Sequence, residues 1–162
     1  MITNAIYFGK EALYETIKSN GGEWNDSKER PIVCLIRSSE HNDLYWAIPV
    51  GKWDHRENAA QTRIQKYLNY EDHDLRSCFY HLGRTTCKSI FFVSDVIPIT
   101  DNYIERQYLN YDNNHYIIKN PNLLSELNRK LKRILSYENS KPNYFRQHIT
   151  DIKECLIAEL DK

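Results

Sequence analysis

The sequence predicts an α+β domain in which helices lie beside a compact, strongly bent antiparallel sheet. Three observations lead there. Strand-like and helix-like segments cluster along the chain instead of alternating, which argues against a parallel βαβ sheet. The 162 residues are about the modal size of one domain, so residues 1–162 are read as a single unit with one core. A hydrophobic fraction of 41% and an aromatic fraction of 12%, dominated by 12 tyrosines, exclude a disordered chain and suit a ring-rich polar surface.

Taken in order, Ala5 to Phe8 reads as a short strand and Lys10 to Lys18 as a helix, with Leu13, Tyr14 and Ile17 at helical spacing before the stop at Asn20-Gly21-Gly22. Gly22 to Glu29 is a polar loop, expected to be the mobile segment before the core begins, and Arg30-Pro31 ends it. Ile32 to Ile36 is a continuous apolar run suited to a central strand. Ser38 to Asp43 turns into a partner strand, Tyr45 to Val50. Glu57 to Leu68 has helical periodicity, with Ala60, Ile64, Tyr67 and Leu68 on one face, and Tyr70 to Asp74 breaks it. Cys78 to Leu82, Lys88 to Val93 and Val96 to Ile99 read as strands. Tyr108 to Asn114 is turn-rich, and His115 to Ile118 fits an edge strand or the lead into a helix. Two amphipathic helices close the chain. Asn120 caps the first, Pro121 sits in its first turn, and Leu123, Leu127, Leu131, Ile134 and Leu135 form its stripe. The second is expected to begin near Pro142 and to carry Phe145, Ile149, Ile152, Leu156 and Leu160.

The formal net charge is zero, which excludes a chain that coats nucleic acid by bulk attraction; such binding would need a local positive patch. From Arg76 to Lys88 there are three cations and no carboxylate, and Arg129, Lys130, Lys132 and Arg133 cluster tightly, although solvated faces commonly carry such runs. The four cysteines form no CxxC, and Cys34 and Cys155 fall in apolar patterns, as in a reduced, cytoplasmic chain. No apolar run approaches 18 residues and no charged leader precedes one, so neither a membrane span nor a secretory signal is expected. The six histidines are scattered without HExxH spacing, and Asp72-His73-Asp74 is a polar turn. The five glycines are not spaced to cradle a diphosphate, so no metal and no cofactor is expected.

The stretch Asp43 to Arg56, DLYWAIPVGKWDHR, holds the candidate site. Leu44, Trp46 and Ile48 alternate with Tyr45, Ala47 and Pro49, predicting a half-buried strand that runs out through Pro49 and Gly51 into a loop. Lys52 would then leave a rigid edge, ready to face a phosphate, and Trp53 would offer a ring on which an unpaired base stacks. A surface turn with a solvated lysine is the plainer alternative for the same residues.

The order strand, helix, polar loop, Arg30-Pro31 with its apolar strand, then YWAIPVGKW resembles the ToxN/TenpN toxins of type III toxin-antitoxin systems, the TenpN branch most closely. The resemblance extends through SIFFVSDVIPI at Ser89 to Ile99 and the closing helix pair. It implies a MazF/PemK-like, SH3-like barrel and a metal-independent endoribonuclease toxin of abortive phage infection. It also implies inhibition by a repetitive antitoxin RNA that the toxin itself processes, in a toxin–RNA hetero-oligomer that can close into a ring. In that family a lysine after the second core strand lies in the active site; Lys52 occupies the matching place, and Arg30 matches a basic residue at the start of the first core strand. ToxN proteins carry Thr and Ser just before that lysine, whereas this chain has Val50 and Gly51.

Metal-free RNA cleavage by attack of the ribose 2′-OH needs a base, a cation for the phosphorane and an acid for the leaving oxygen. Lys52 suits the cation or the base, and Arg30 a two-pronged phosphate ligand or else a strand-end charge. His55 is the side-chain type best suited to moving protons at neutral pH, unless it is simply an exposed loop residue. His81, Arg84, Thr85, Thr86 and Ser89 form a second polar group able to supply a hydroxyl and a phosphate ligand, though turn chemistry explains them equally well. Arg56, Arg63 and Lys66 would extend a phosphate track along a helix. Cellular RNA and antitoxin RNA repeats are the expected partners. The competing class is a non-catalytic small barrel that binds RNA or a peptide by shape and stacking.

Overall fold

The computed structural model describes residues 1–25 and 30–162, and within them the chain is α+β. Seven antiparallel strands form the sheet: β1 (Ile6–Gly9), β2 (Ile32–Arg37), β3 (Tyr45–Lys52), β4 (Tyr80–Arg84), β5 (Lys88–Phe92), β6 (Ile97–Ile99) and β7 (Ile104–Gln107). Four α-helices accompany them: α1 (Glu11–Ser19), α2 (Asn58–Leu68), α3 (Pro121–Ser140) and α4 (Ile149–Leu160). The strand order is β4-β5-β3-β2-β1-β7, with β6 on β3; β4 and β7 end the order, and no pairing joins them among the described residues. No helix among the described residues is long and apolar enough to cross a membrane.

The sheet bends at β3. Tyr45 to Ala47 pair with β6 and Val50 to Lys52 with β5, while β2 runs along the opposite edge. Because β5 and β6 are consecutive and joined by the tight turn Val93–Asp95, one segment follows two stretches of the same strand and turns a corner between them. β3 is therefore covered on both faces, not half-buried as its alternation suggests. Trp46, Ile48 and Val50 join Val33, Phe91 and the α3 stripe of Leu123, Leu127, Leu131 and Ile134. Tyr45 and Ala47 join Leu13 and Ile17 of α1 with Ile152 and Leu156 of α4. The layers run α3, sheet, then α1 with α4, and each fully buried Leu or Ile in them contributes on the order of 1.5–3 kcal/mol.

Several boundaries move. The strand expected over Cys78 to Leu82 starts at Tyr80, because Leu75–Cys78 forms a tight turn that Asp74 caps through the Arg76 N–H (2.9 Å). β7 escapes pattern reading because Ile104-Glu105-Arg106-Gln107 has only one apolar residue; it exists by pairing with β1. The cap at Asn120 forms as expected, its side chain accepting from the N–H groups of Asn122 (3.0 Å) and Leu123 (3.2 Å), worth about 1 kcal/mol. α4 begins at Ile149 rather than near Pro142. The buried Glu138 carboxylate accepts from the Asn143 N–H (2.5 Å) and the Thr150 hydroxyl (2.6 Å) and so holds a turn there, from which Phe145 still reaches the core. The polar loop expected over Gly22 to Glu29 is described only to Asn25; its remainder lies outside the described residues.

The basic cluster on α3 has structural work. Lys130 is buried and donates to the Tyr80 carbonyl (2.8 Å), and Arg133 donates to the carbonyls of Asp72 and His73. These bonds fasten the 72–80 segment to α3.

Candidate functional site

Four chain segments meet beside the last residues of β3. Strand β3 does not open into a loop after Pro49 but continues to Lys52, whose Cα partner on β5 is Ser89. Pro31 accepts a hydrogen bond from the Val50 N–H (2.9 Å), which brings Arg30 to the same strand end. The tight turn Trp53–His55 then returns the chain, with the Arg56 N–H donating to the Trp53 carbonyl (3.0 Å). A Cβ on Gly51 would collide with the Arg56 guanidinium, so the absent side chain there is what lets Arg56 lie against the strand.

A cavity of about 230 Å³ opens here, with Arg30, Lys52, Arg56, Thr85, Ser89 and Tyr108 in its lining. Its described lining holds three cations and no carboxylate, the local positive patch that a chain of zero net charge needs to hold an anion. The Arg30 and Arg56 guanidinium carbons lie 4.8 and 5.3 Å from the centroid of the same Phe92 ring, a cation–π arrangement. Burial lowers the pKa of both, and the Arg56 charge lowers Arg30 further; both stay cationic at neutral pH. Neither is in an ion pair among the described residues, and the buried Nε of Arg56 has no hydrogen-bond partner.

The hydroxyls come from the β4–β5 hairpin. Ser89 is buried and donates to the Cys87 carbonyl (3.0 Å), and its oxygen lies 2.8 Å from Thr85 Oγ1. With the Ser89 proton so engaged, Thr85 donates to Ser89 and keeps lone pairs for a ligand. Thr86 stands behind this wall, 3.1 Å from the Tyr108 hydroxyl.

The sequence-derived candidates thus divide. Arg30, Lys52, Arg56, Thr85 and Ser89 come together in the cavity, while Arg63 lines an adjoining hollow that shares Arg30 and Arg56. Trp53 is corrected: only 6% exposed, it packs with Ile64, Ile90 and Phe92, because α2 buries a single residue and needs an apolar floor. It is no free stacking surface. His55, Lys66 and Arg84 are exposed and line neither hollow. Phe8 and Tyr108 supply the cavity's aromatic wall instead, with ring centroids 5.8 Å apart. Pattern reading missed them because they arrive through the β1–β7 edge, where the Tyr108 N–H donates to the Ile6 carbonyl (3.0 Å).

His81 faces the charges of α3. Burial first, then the Lys130 cation, push its pKa down to about 4, so it is neutral at pH 7 and no cationic phosphate ligand. Its pKa is depressed relative to the ordinary 6.5, so the unfolded chain binds this proton more readily. Stability present above about pH 6.5 should therefore decline as pH falls toward 4. His81→Gln is expected to flatten that limb of urea midpoint against pH; an unchanged limb would assign it to other groups.

A separate hollow of about 310 Å³ beside α3 and α4 also carries cations, but Lys153 there is paired with Glu40 (3.0 Å) and Glu138 is buried in its wall. No protein-family model and no curated protein sequence matches this chain, so the chemistry of the site is read from its own residues.

Proposed function

We propose that the cavity takes the phosphodiester of an RNA strand and that the chain is a metal-independent endoribonuclease toxin of the ToxN/TenpN kind, with antitoxin RNA repeats as its inhibitor and its bent sheet a variant of the MazF/PemK-like, SH3-like barrel. The convergence of Arg30, Lys52, Arg56 and the Thr85–Ser89 hydroxyls on one carboxylate-free cavity carries this reading. In the reaction the ribose 2′ oxygen gives up its proton and attacks the neighbouring phosphorus, the bond to the 5′ oxygen breaks, and that oxygen takes up one proton, so that the products are a 2′,3′-cyclic phosphate and a 5′-OH with no net change in protons. Charge builds on the non-bridging oxygens in the transition state. Arg30 and Arg56, both lying over the Phe92 ring, receive it, and Lys52 adds a third cation. Thr85, its own proton directed to Ser89, offers lone pairs to the 2′-OH. In this chain the hairpin supplies the hydroxyl that ToxN proteins carry just before their lysine.

One observation favours the non-catalytic alternative: His55, the candidate proton carrier, is exposed and outside the cavity. The two readings separate with the wild-type chain. Incubated with cellular RNA in EDTA, it should produce new 5′-OH ends and 2′,3′-cyclic phosphates, detected by end-specific ligation. RNA that binds but stays whole would make the chain a binding module.

A further inference from the structure

Next to the cavity lies a hollow of about 380 Å³ with its own chemistry. Its described lining holds four arginines, Arg30, Arg56, Arg63 and Arg146, against one carboxylate, Asp95. Arg30 and Arg56 belong to both spaces and form the ridge between them. Arg146 donates to Asp95 Oδ2 (3.2 Å), and its side chain is 48% exposed, so this pair is open to exchange. Gln147, fully buried in the wall, spends its amide N–H groups on the carbonyls of Ser94 and Val96 and keeps Oε1 without a partner.

We propose that this hollow is a second phosphate subsite, which takes the next phosphate of the same single strand after it crosses the Arg30–Arg56 ridge. The inference rests on the reading of the cavity as a phosphodiester site. Three arginine charges in excess of Asp95 have no counter-anion among the described lining residues, and a guanidinium matches phosphate with paired N–H donors. Asp95 holds Arg146 and gives it up when phosphate arrives. The strand therefore follows the hollow, through Arg63 and Arg146, and not the outer face of α2, where Lys66 projects into solvent.

The test uses an uncleavable probe, a fluorescent 2′-O-methyl RNA hexamer, with affinity measured against salt concentration. Arg63→Ala and Arg146→Ala should each weaken binding about three- to tenfold and flatten the slope of log K against log salt by about 0.7–1. Lys66→Ala, which removes the same charge outside the hollow, should leave the slope unchanged. Asp95→Asn should tighten binding by releasing Arg146, an effect that loss of a merely structural contact does not produce. If Arg63→Ala and Arg146→Ala match Lys66→Ala while Lys52→Ala still slows cleavage by about 10²–10³-fold, the second subsite is refuted and the cavity reading stands. If the wild-type chain does not hold the hexamer, both fail together.

Discussion

Lys52→Ala should slow RNA cleavage by about 10²–10³-fold, the usual cost of deleting one preorganised group that meets transition-state charge. Binding of uncleavable RNA should fall by no more than about tenfold, since Arg30 and Arg56 remain to hold the phosphate. The asymmetry follows from position. Lys52 is the last residue of β3 and is held opposite Ser89 by the ladder, so its stem leaves a paired backbone while its side chain stays exposed at the cavity. A cation so placed acts where charge develops, and the two half-buried arginines account for most ground-state grip. Single-turnover cleavage of a labelled RNA in EDTA, beside anisotropy on its 2′-O-methyl analogue, separates the two quantities. Lys52→Arg divides the roles further: a charge-stabilising lysine is partly replaced by Arg, whereas a proton-transferring one is not. A Lys52→Ala chain that cleaves within threefold of wild type removes the residue from the chemistry altogether.

How much of this was legible beforehand depended on whether a feature was local. Arg30-Pro31 and Pro49-Val50-Gly51-Lys52 mark two strand ends, and antiparallel pairing of β2 with β3 places those ends together, so their convergence follows from the hairpin. The cap and stripe of α3 were equally plain because helix termini and periodicity are short-range. Tyr108, Phe8 and Arg146 were not. Phe8 and Tyr108 arrive through the β1–β7 edge, whose two strands are far apart in sequence, and Arg146 leaves a turn that Glu138 holds where a longer α4 was expected and is met there by Asp95, 51 residues earlier. The hydroxyls were visible as residues but not as a site, because only the register Lys52 opposite Ser89 joins the hairpin to the lysine. The aromatic ring failed in a different way. Exposure of Trp53 was inferred from its place after a strand, but burial is decided by what folds over it, and α2 lies there.

Trp53→Ala is accordingly expected to destabilise the fold by about 3–5 kcal/mol, the range for truncating a large buried aromatic, read as a drop in urea midpoint at constant slope. Ile64 is the only fully covered side chain of α2, and it shares its small cluster with Trp53, Ile90 and Phe92. Removing the indole leaves α2 without most of its floor. The Trp53 carbonyl also accepts from Gln61 Nε2 (3.1 Å), so the turn and the helix should loosen together. The damage should reach the site, because Arg56 follows this turn, Arg63 rides on α2, and Phe92 carries both ridge arginines. Trp53→Phe keeps an apolar ring in the pocket and should restore most of the stability, with RNA affinity close to wild type. A stacking platform behaves oppositely: its loss leaves the urea midpoint in place and removes about 1–3 kcal/mol of RNA binding. An unchanged midpoint for Trp53→Ala would return the indole to the surface and overturn the packing that positions Arg56 and Arg63.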